Sequence, residues 1–155
     1  MNPVGVFNVA VAAIVEKDDK ILITKRSPNR DHAPNEWEAG ITGRIGQNET
    51  MEDALIREVK EEIGLEVEII TAFKTFHFYR GREKAEHQGV NFWCRYKKGE
   101  VVLDTNEQVD YKWVTPEEAL QYVTDPNVIE EVKGFIEFKR HFESKKYNSI
   151  KNNRY

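Results

Sequence analysis

Residues 43–65 read GRIGQNETMEDALIREVKEEIGL, a glycine-bearing loop that leads into one amphipathic helix. Thr50 followed three residues later by Asp53 is a capping-box pattern, so the helix is predicted to begin after Thr50. Gly64 stands where a left-handed C-terminal residue belongs. Between these ends an apolar residue recurs at every fourth position, which predicts one buried stripe formed by Leu55, Val59 and Ile63.

Three glutamates lie next to this stripe. Glu58, Glu61 and Glu62 fall within about 100° of one another on the helix, so we expect all three at the edge of the core. Like charges at this spacing destabilise a helix by about 0.2–0.5 kcal/mol per pair, and the C-terminal end of the helix dipole is also negative. Arg57 and Lys60 supply some counter-charge, and an oxygen-preferring cation such as Mg²⁺ or Mn²⁺ would supply more. The alternative is a solvated charged face that binds nothing.

The loop and the helix together form a longer pattern: Gly, five residues, Glu, seven residues, Arg-Glu-Val, one residue, Glu-Glu, one residue, Gly-Leu. This pattern resembles the signature of the Nudix hydrolase family at every defined position. The resemblance implies an α/β (α+β) fold, an α/β/α sandwich with a mixed central sheet. It also implies hydrolysis of a nucleoside diphosphate linked to another moiety, with a divalent metal held against the diphosphate.

The resemblance also implies a ligand set. Glu58 and Glu62 are expected to be the principal metal ligands, with Glu61 close behind them. The carbonyl of Thr42 is expected to complete the shell, because the family uses the residue just before the first glycine of the signature in this way.

A further acidic residue is expected after the sheet strands. In many Nudix proteins a carboxylate a few positions before a Trp-Val strand serves as another metal ligand or as the general base, and Glu107 matches that place, six residues before Trp113. Asp110 is the competing candidate, and one of the helix glutamates is another candidate for the base. A solvated loop carboxylate is the alternative for Glu107.

Three arginines are candidates for positioning or substrate-binding residues. Arg57 is expected to orient Glu58 or Glu49, and Arg44 is a candidate for contact with phosphate. Arg26 follows a predicted strand, where family members often have a basic residue that touches substrate, and we interpret it as a substrate-binding residue. A surface pair that caps the strand is the alternative for Arg26.

The composition suits one globular domain, because 39% of the 155 residues are hydrophobic and 32% are charged. We expect this domain to span residues 1–142 and to be followed by a polar, frayed tail over residues 143–155. The net charge of −4 argues against dedicated nucleic-acid binding. Cys94 is the only cysteine, which excludes an internal disulfide and favours a cytoplasmic location, and we interpret it as a buried small hydrophobe. No signal peptide or membrane span is expected, and a homodimer is left open.

The rest of the chain alternates in the manner of strands and then helices. Strands are predicted over 7–15, 21–24, 38–42, 66–78, 90–96 and 101–103. A charged hairpin tip is predicted at residues 80–88. A helix is predicted to begin after Thr115 and end near Val123, and another to begin at Asp125-Pro126 and end near Phe142. The aromatic residues of the strands and Trp37 are interpreted as packing residues, with a base-stacking role as the alternative, and His32 as a solvated loop residue.

The substrate is the least determined feature. Many family members have Pro-Gly-Gly at the entry to the signature, whereas this chain has Ile41-Thr42-Gly43, which resembles members that act on dNTPs or dihydroneopterin triphosphate. We therefore favour a (d)NTP or related triphosphate pyrophosphohydrolase. ADP-ribose or dinucleoside polyphosphate hydrolysis, capped RNA and isoprenoid diphosphate isomerisation are alternatives within the family. A non-catalytic module that binds a nucleotide or a protein is the alternative from another class.

Overall fold

The computed structural model describes residues 3–152, which form seven strands and three helices. The strands are β1 Asn8–Lys17, β2 Lys20–Arg26, β3 Trp37–Glu38, β4 Ile41–Arg44, β5 Glu66–Arg80, β6 Ala85–Lys98 and β7 Gln108–Val114. The helices are α1 Met51–Ile63, α2 Pro116–Ala119 and α3 Pro126–Asn152.

The sheet is mixed. β1 runs parallel to β6, and β5 and β6 form a long antiparallel hairpin. Along its other edge β1 has two antiparallel neighbours in turn, β4 opposite residues 10–13 and β2 opposite residues 16–17. β2 then lies between β3 and β7. The division of this edge between β4 and β2 brings the signature loop, which follows β4, to the middle of the sheet.

Each face of the sheet has its own core. The side chains of β1 alternate between the faces, with Val11 and Val15 on one side and Ile14 on the other. The first face packs against the fully buried stripe of α1, formed by Leu55, Val59 and Ile63. The second packs against α2 and α3, where Val132 and Phe135 are fully buried. The predicted α/β/α sandwich is therefore confirmed.

The ends of α1 are those that its sequence predicts. The Thr50 hydroxyl accepts a hydrogen bond from the Asp53 N–H at 3.1 Å. Gly64 has φ of 74°, and its N–H donates to the Lys60 carbonyl at 3.0 Å. These local bonds hold the helix in register with the loop before it.

Two strand predictions are wrong. The strand predicted over residues 38–42 is two strands, because Glu38 pairs with β2 whereas Ile41 pairs with β1. Residues 101–103 form no strand. The Val102 N–H donates instead to the Ile63 carbonyl at 3.0 Å, and thus satisfies the open end of α1 rather than a sheet neighbour.

The later elements also differ from their predictions. α2 ends at Ala119, sooner than Val123, although its predicted start is confirmed by a complete capping box at Thr115. The helix end predicted near Phe142 is wrong, because α3 continues to Asn152. Residues 143–152 thus belong to α3, and residues 153–155 lie outside the described part.

The tip between β5 and β6 is shorter than predicted and consists of residues 81–84. No helix within residues 3–152 is long and apolar enough to cross a membrane. The division into one domain over 1–142 and a tail stays a prediction.

Candidate active site

Arg57 is the centre of an ion-pair cluster at the start of the site. Its Nε and Nη2 donate to the two carboxylate oxygens of Glu49 at 2.7 and 2.9 Å, and its Nη1 donates to Glu58 Oε1 at 2.9 Å. Nη2 also donates to the Arg44 carbonyl at 3.0 Å, which ties the helix to the end of β4. The guanidinium, together with the Gly46 N–H, lowers the pKa of Glu49 to about 2. Arg57 thus contacts both carboxylates that it was predicted to orient.

Gly43 makes this arrangement possible. A Cβ at position 43 would overlap Cγ and Cδ of Glu58 and would lie 2.8 Å from its Cβ. The glycine is therefore required by the close approach of the Glu58 side chain to the backbone of β4.

Glu62 lies one turn further along α1 in a different environment. Its carboxylate accepts one hydrogen bond from the Gln108 side-chain amide at 3.0 Å. Burial, together with the nearby carboxylates of Glu58, Glu107 and Glu38, raises the pKa of Glu62 to about 8 against the opposing effect of the Gln108 bond. Negative charge is therefore in excess around Glu62.

Glu61 does not share this environment. Its side chain is 61% exposed and its carboxylate accepts from Arg57 at 3.3 Å. The expectation that all three helix glutamates lie at the edge of the core is wrong for Glu61, because it projects between Arg57 and solvent.

Glu107 lies on the loop before β7 and forms an ion pair with Arg30. Its charge is one of the influences that raise the pKa of Glu62, and its role as a metal ligand or general base stays a prediction. Asp110, its competitor, lies exposed in β7, where its carboxylate accepts from the Tyr111 N–H at 2.8 Å.

The donor chemistry of the site suits a hard divalent cation. Glu58, Glu62 and Glu107 supply carboxylate oxygens in a region where carboxylates outnumber cations, and Mg²⁺ or Mn²⁺ prefers such ligands. Over residues 3–152, no three His, Cys, Asp or Glu side chains are grouped closely enough to form a complete ligand set as they stand.

A cavity of about 350 Å³ lies beside this region: Arg30, the ion-pair partner of Glu107, lines it, whereas Glu58, Glu62 and Glu107 do not. Thr42 and Glu38 line it, and so does Arg26, whose side chain is only 9% exposed. Arg26 donates to Glu38 Oε1 at 2.5 Å and to the His32 carbonyl at 2.9 Å, while its Nη2 has no partner within the described chain. Arg44, by contrast, is exposed and lines a separate surface depression.

Aromatic side chains form part of the cavity wall. The Phe76 ring lies across Gly89 of β6, where a Cβ would overlap the ring. Trp37 meets Tyr122 edge to face at 5.6 Å, which confirms a packing role, and it also lines the cavity. His32 is exposed, as predicted, but it too lines the cavity, and its pKa is lowered mainly by partial burial and by Arg26.

Sequence reasoning missed several polar residues here. Gln108, Glu38 and Asn91 lie on strands and carry no motif. Glu131 did carry a signal, because it lies three residues after Val128 and four before Phe135 and so belongs to the inner face of α3. A charged residue in an apolar stripe is the pattern that identifies it.

Comparisons with known proteins agree with this fold and site. A family model described as NUDIX domain matches residues 6–134. A CTP pyrophosphohydrolase from Escherichia coli is 32% identical over 140 residues, which cover 81% of this chain and 89% of that protein. An isopentenyl-diphosphate Delta-isomerase from Salmonella paratyphi B is 25% identical over 103 residues, 64% of this chain and 57% of that protein. The solution structure of the E. coli ORF135 protein superposes with a TM-score of 0.70 at 26% identity, and covers 89% of this chain and 96% of that one.

The chain is thus a hydrolase of the class that acts on phosphorus-containing anhydrides. It belongs to the Nudix family.

Proposed function

We propose that this protein is a Mg²⁺-dependent pyrophosphohydrolase of nucleoside triphosphates. The observation that carries the proposal is the position of Glu38. Its side chain lines the cavity and also contributes to the raised pKa of Glu62. In this proposal a nucleotide lies in the cavity with its phosphates directed towards α1, because Thr42, which lines the cavity, directly precedes the glycine against which Glu58 packs.

Glu58 and Glu62 are the principal metal ligands in this proposal, with Glu61, Glu107 and the Thr42 carbonyl as further oxygen donors. The bound cation supplies charge neutralisation at the phosphate oxygens and a lowered pKa for a water molecule. Mn²⁺ is a plausible substitute, because it accepts the same ligands.

The remaining site residues position the metal ligands or bind the substrate. Arg57 holds the Glu58 carboxylate in place through a hydrogen bond of 2.9 Å. The buried, unpartnered Nη2 of Arg26 is available to a phosphate oxygen. Glu107 or one of the helix glutamates accepts the proton of the attacking water. Arg44, outside the cavity, reaches substrate only through phosphates that extend over the loop.

The relative named a CTP pyrophosphohydrolase supports a triphosphate substrate, because it aligns with most of this chain. The isomerase aligns over only 57% of its own length and therefore supports its substrate less strongly. ADP-ribose and dinucleoside polyphosphates remain alternative substrates. A cytoplasmic location and a homodimer stay predictions.

The test is a panel of nucleoside triphosphates, ADP-ribose, dinucleoside polyphosphates and isopentenyl diphosphate with Mg²⁺, in which all products are separated by chromatography, because only a triphosphate releases pyrophosphate. Glu58→Gln and Glu62→Gln are each expected to lose about 100-fold or more in turnover, since changes to residues behind the ligands alone typically cost 10–100-fold. Glu52→Gln, in the exposed first turn of the same helix, is the matched control. Near-normal turnover in both site variants would rule the proposal out.

A further inference from the structure

The wall of the cavity formed by α3 contains the carboxyl group of Glu131. Oε1 of Glu131 is buried and has no hydrogen-bond partner among the residues that the structure describes. Gly40 makes room for it, because a Cβ at position 40 would lie 2.6 Å from this oxygen. An unpaired buried polar group costs about 1–3 kcal/mol, so a role in binding is the natural reason for its presence.

The surroundings keep this carboxyl neutral. Burial, with the neighbouring Glu38, raises the pKa of Glu131 to about 8. Lys74 on β5 has the opposite effect, but its ammonium donates to the Glu130 carbonyl at 3.0 Å instead of to the Glu131 carboxyl. At neutral pH Glu131 therefore offers one hydrogen-bond donor and one acceptor.

The groups around Glu131 fit a flat polar ring. Phe76 contributes an aromatic wall, and Asn91, only 3% exposed, contributes an amide to the same cavity. Aromatic faces bind heterocyclic bases by stacking, and the edge of every nucleobase carries an N–H beside an acceptor. The volume of about 350 Å³ lies in the usual range for small-molecule sites.

We propose that Glu131 is the specificity-determining residue that hydrogen-bonds the edge of the nucleotide base in this cavity. The inference rests on the proposed function in one respect, that the substrate is a nucleotide. It adds the residue that recognises the base, and it excludes a purely apolar substrate moiety, which would leave the carboxyl unpaired.

Binding without metal tests the inference apart from catalysis. Calorimetry with CMP, UMP, AMP and GMP in EDTA at pH 7 is expected to give measurable affinity for at least one of them. Glu131→Leu is expected to weaken the preferred ligand about tenfold, the equivalent of one hydrogen bond of about 1.4 kcal/mol. In turnover assays the same variant is expected to raise KM about tenfold with kcat within a few-fold. Glu137→Leu, exposed on α3, is the control.

Glu131→Gln keeps a hydrogen-bond donor and an acceptor. This variant is therefore expected to bind the preferred nucleotide at pH 7 and, unlike the wild type, also at pH 9. Glu38 and Lys74 face residue 131 in both proteins, and their own titration therefore cancels in the comparison. The comparison of wild type with Glu131→Gln also tests the role of Glu131 if the leucine variant fails to fold.

Unchanged affinity in Glu131→Leu, equal pH profiles for wild type and Glu131→Gln, or no binding of any of the four nucleotides would overturn the inference. If Glu131→Leu hydrolyses triphosphates with an unaltered KM, the role of Glu131 is refuted and the proposed function stands. Binding that depends on Glu131 without hydrolysis of any triphosphate refutes the proposed function alone.

Discussion

Two groups of carboxylates in this protein have opposite electrostatic environments. The arginine-centred cluster consists of Glu49, Arg57 and Glu58, and there Arg57 lowers the pKa of Glu49 to about 2. The buried acids are Glu62 and Glu131, and burial raises the pKa of each to about 8. In the first group the charges pair with one another and fix the positions of the side chains. The second leaves polar groups uncompensated beside a cavity, which is the state expected of groups that bind a ligand.

Among variants that keep every carboxylate, the largest effect is expected from breaking the geometry of the arginine-centred cluster through Gly43→Ala. The new Cβ would overlap Glu58 and displace its carboxylate. Turnover is expected to fall about 100-fold, because misplacement by an ångström has costs of that order. Gly5→Ala is the control, since a Cβ at that position makes only ordinary contacts at 3.5 Å. Wild-type turnover in Gly43→Ala would show that Glu58 need not occupy its present position.

The next effect comes from Arg57→Lys, which keeps the charge but not the forked geometry. Lysine cannot donate two parallel bonds to Glu49 while holding Glu58, so both carboxylates lose their orientation. Turnover is expected to fall about 10–100-fold. Arg140→Lys, exposed on α3, should behave as wild type. A fully active Arg57→Lys protein would mean that charge alone suffices in this cluster.

The dependence of folding stability on pH tests the environment of the buried acids. Since the pKa of Glu131 is about 8 in the folded protein and the ordinary value is 4.5, the folded state retains a proton that the unfolded state releases between these limits. The stabilising contribution of Glu131 is therefore complete below pH 4.5 and is lost as the pH rises through 8.

Glu131→Gln carries no such proton. Its free energy of unfolding, from denaturant titrations at pH 5 and pH 9, is expected to exceed that of the wild type by about 1–3 kcal/mol at pH 9, with a smaller difference at pH 5. Glu62 titrates in both proteins, and Glu137→Gln controls for loss of a surface charge. A difference that does not change with pH would contradict the prediction.

The smallest effect concerns the helix that carries the arginine-centred cluster. Thr50→Ala removes the hydroxyl that accepts from Asp53 and is expected to cost about 1 kcal/mol of unfolding free energy. Thr50→Ser keeps a hydroxyl at this position and should retain most of the wild-type unfolding free energy. Because Thr50 contacts neither group of carboxylates, turnover under stabilising conditions is expected to stay unchanged. A large loss of turnover at full stability would tie the cap to the site.

Much of the site was predictable because it is local. The start, the end and the buried stripe of α1 follow from spacing within one helix, and the contacts of Arg57 lie within 13 residues of the chain or fewer. The bond from Gln108 to Glu62 spans 46 residues and was not predicted. The break between β3 and β4 was also missed, since it depends on which of two strands each half pairs with.

The sequence by itself determined the family, the carboxylate helix and the sandwich, because hydrophobic periodicity, capping residues and a dense motif are properties of short segments. The tertiary structure decided which carboxylates are exposed and which are buried. Glu61 and Glu62 are neighbours in the chain, yet one faces Arg57 and solvent while the other faces Gln108 and the other acids. Desolvation depends on what packs over a residue, and strands distant in sequence supply that cover only once the chain has folded.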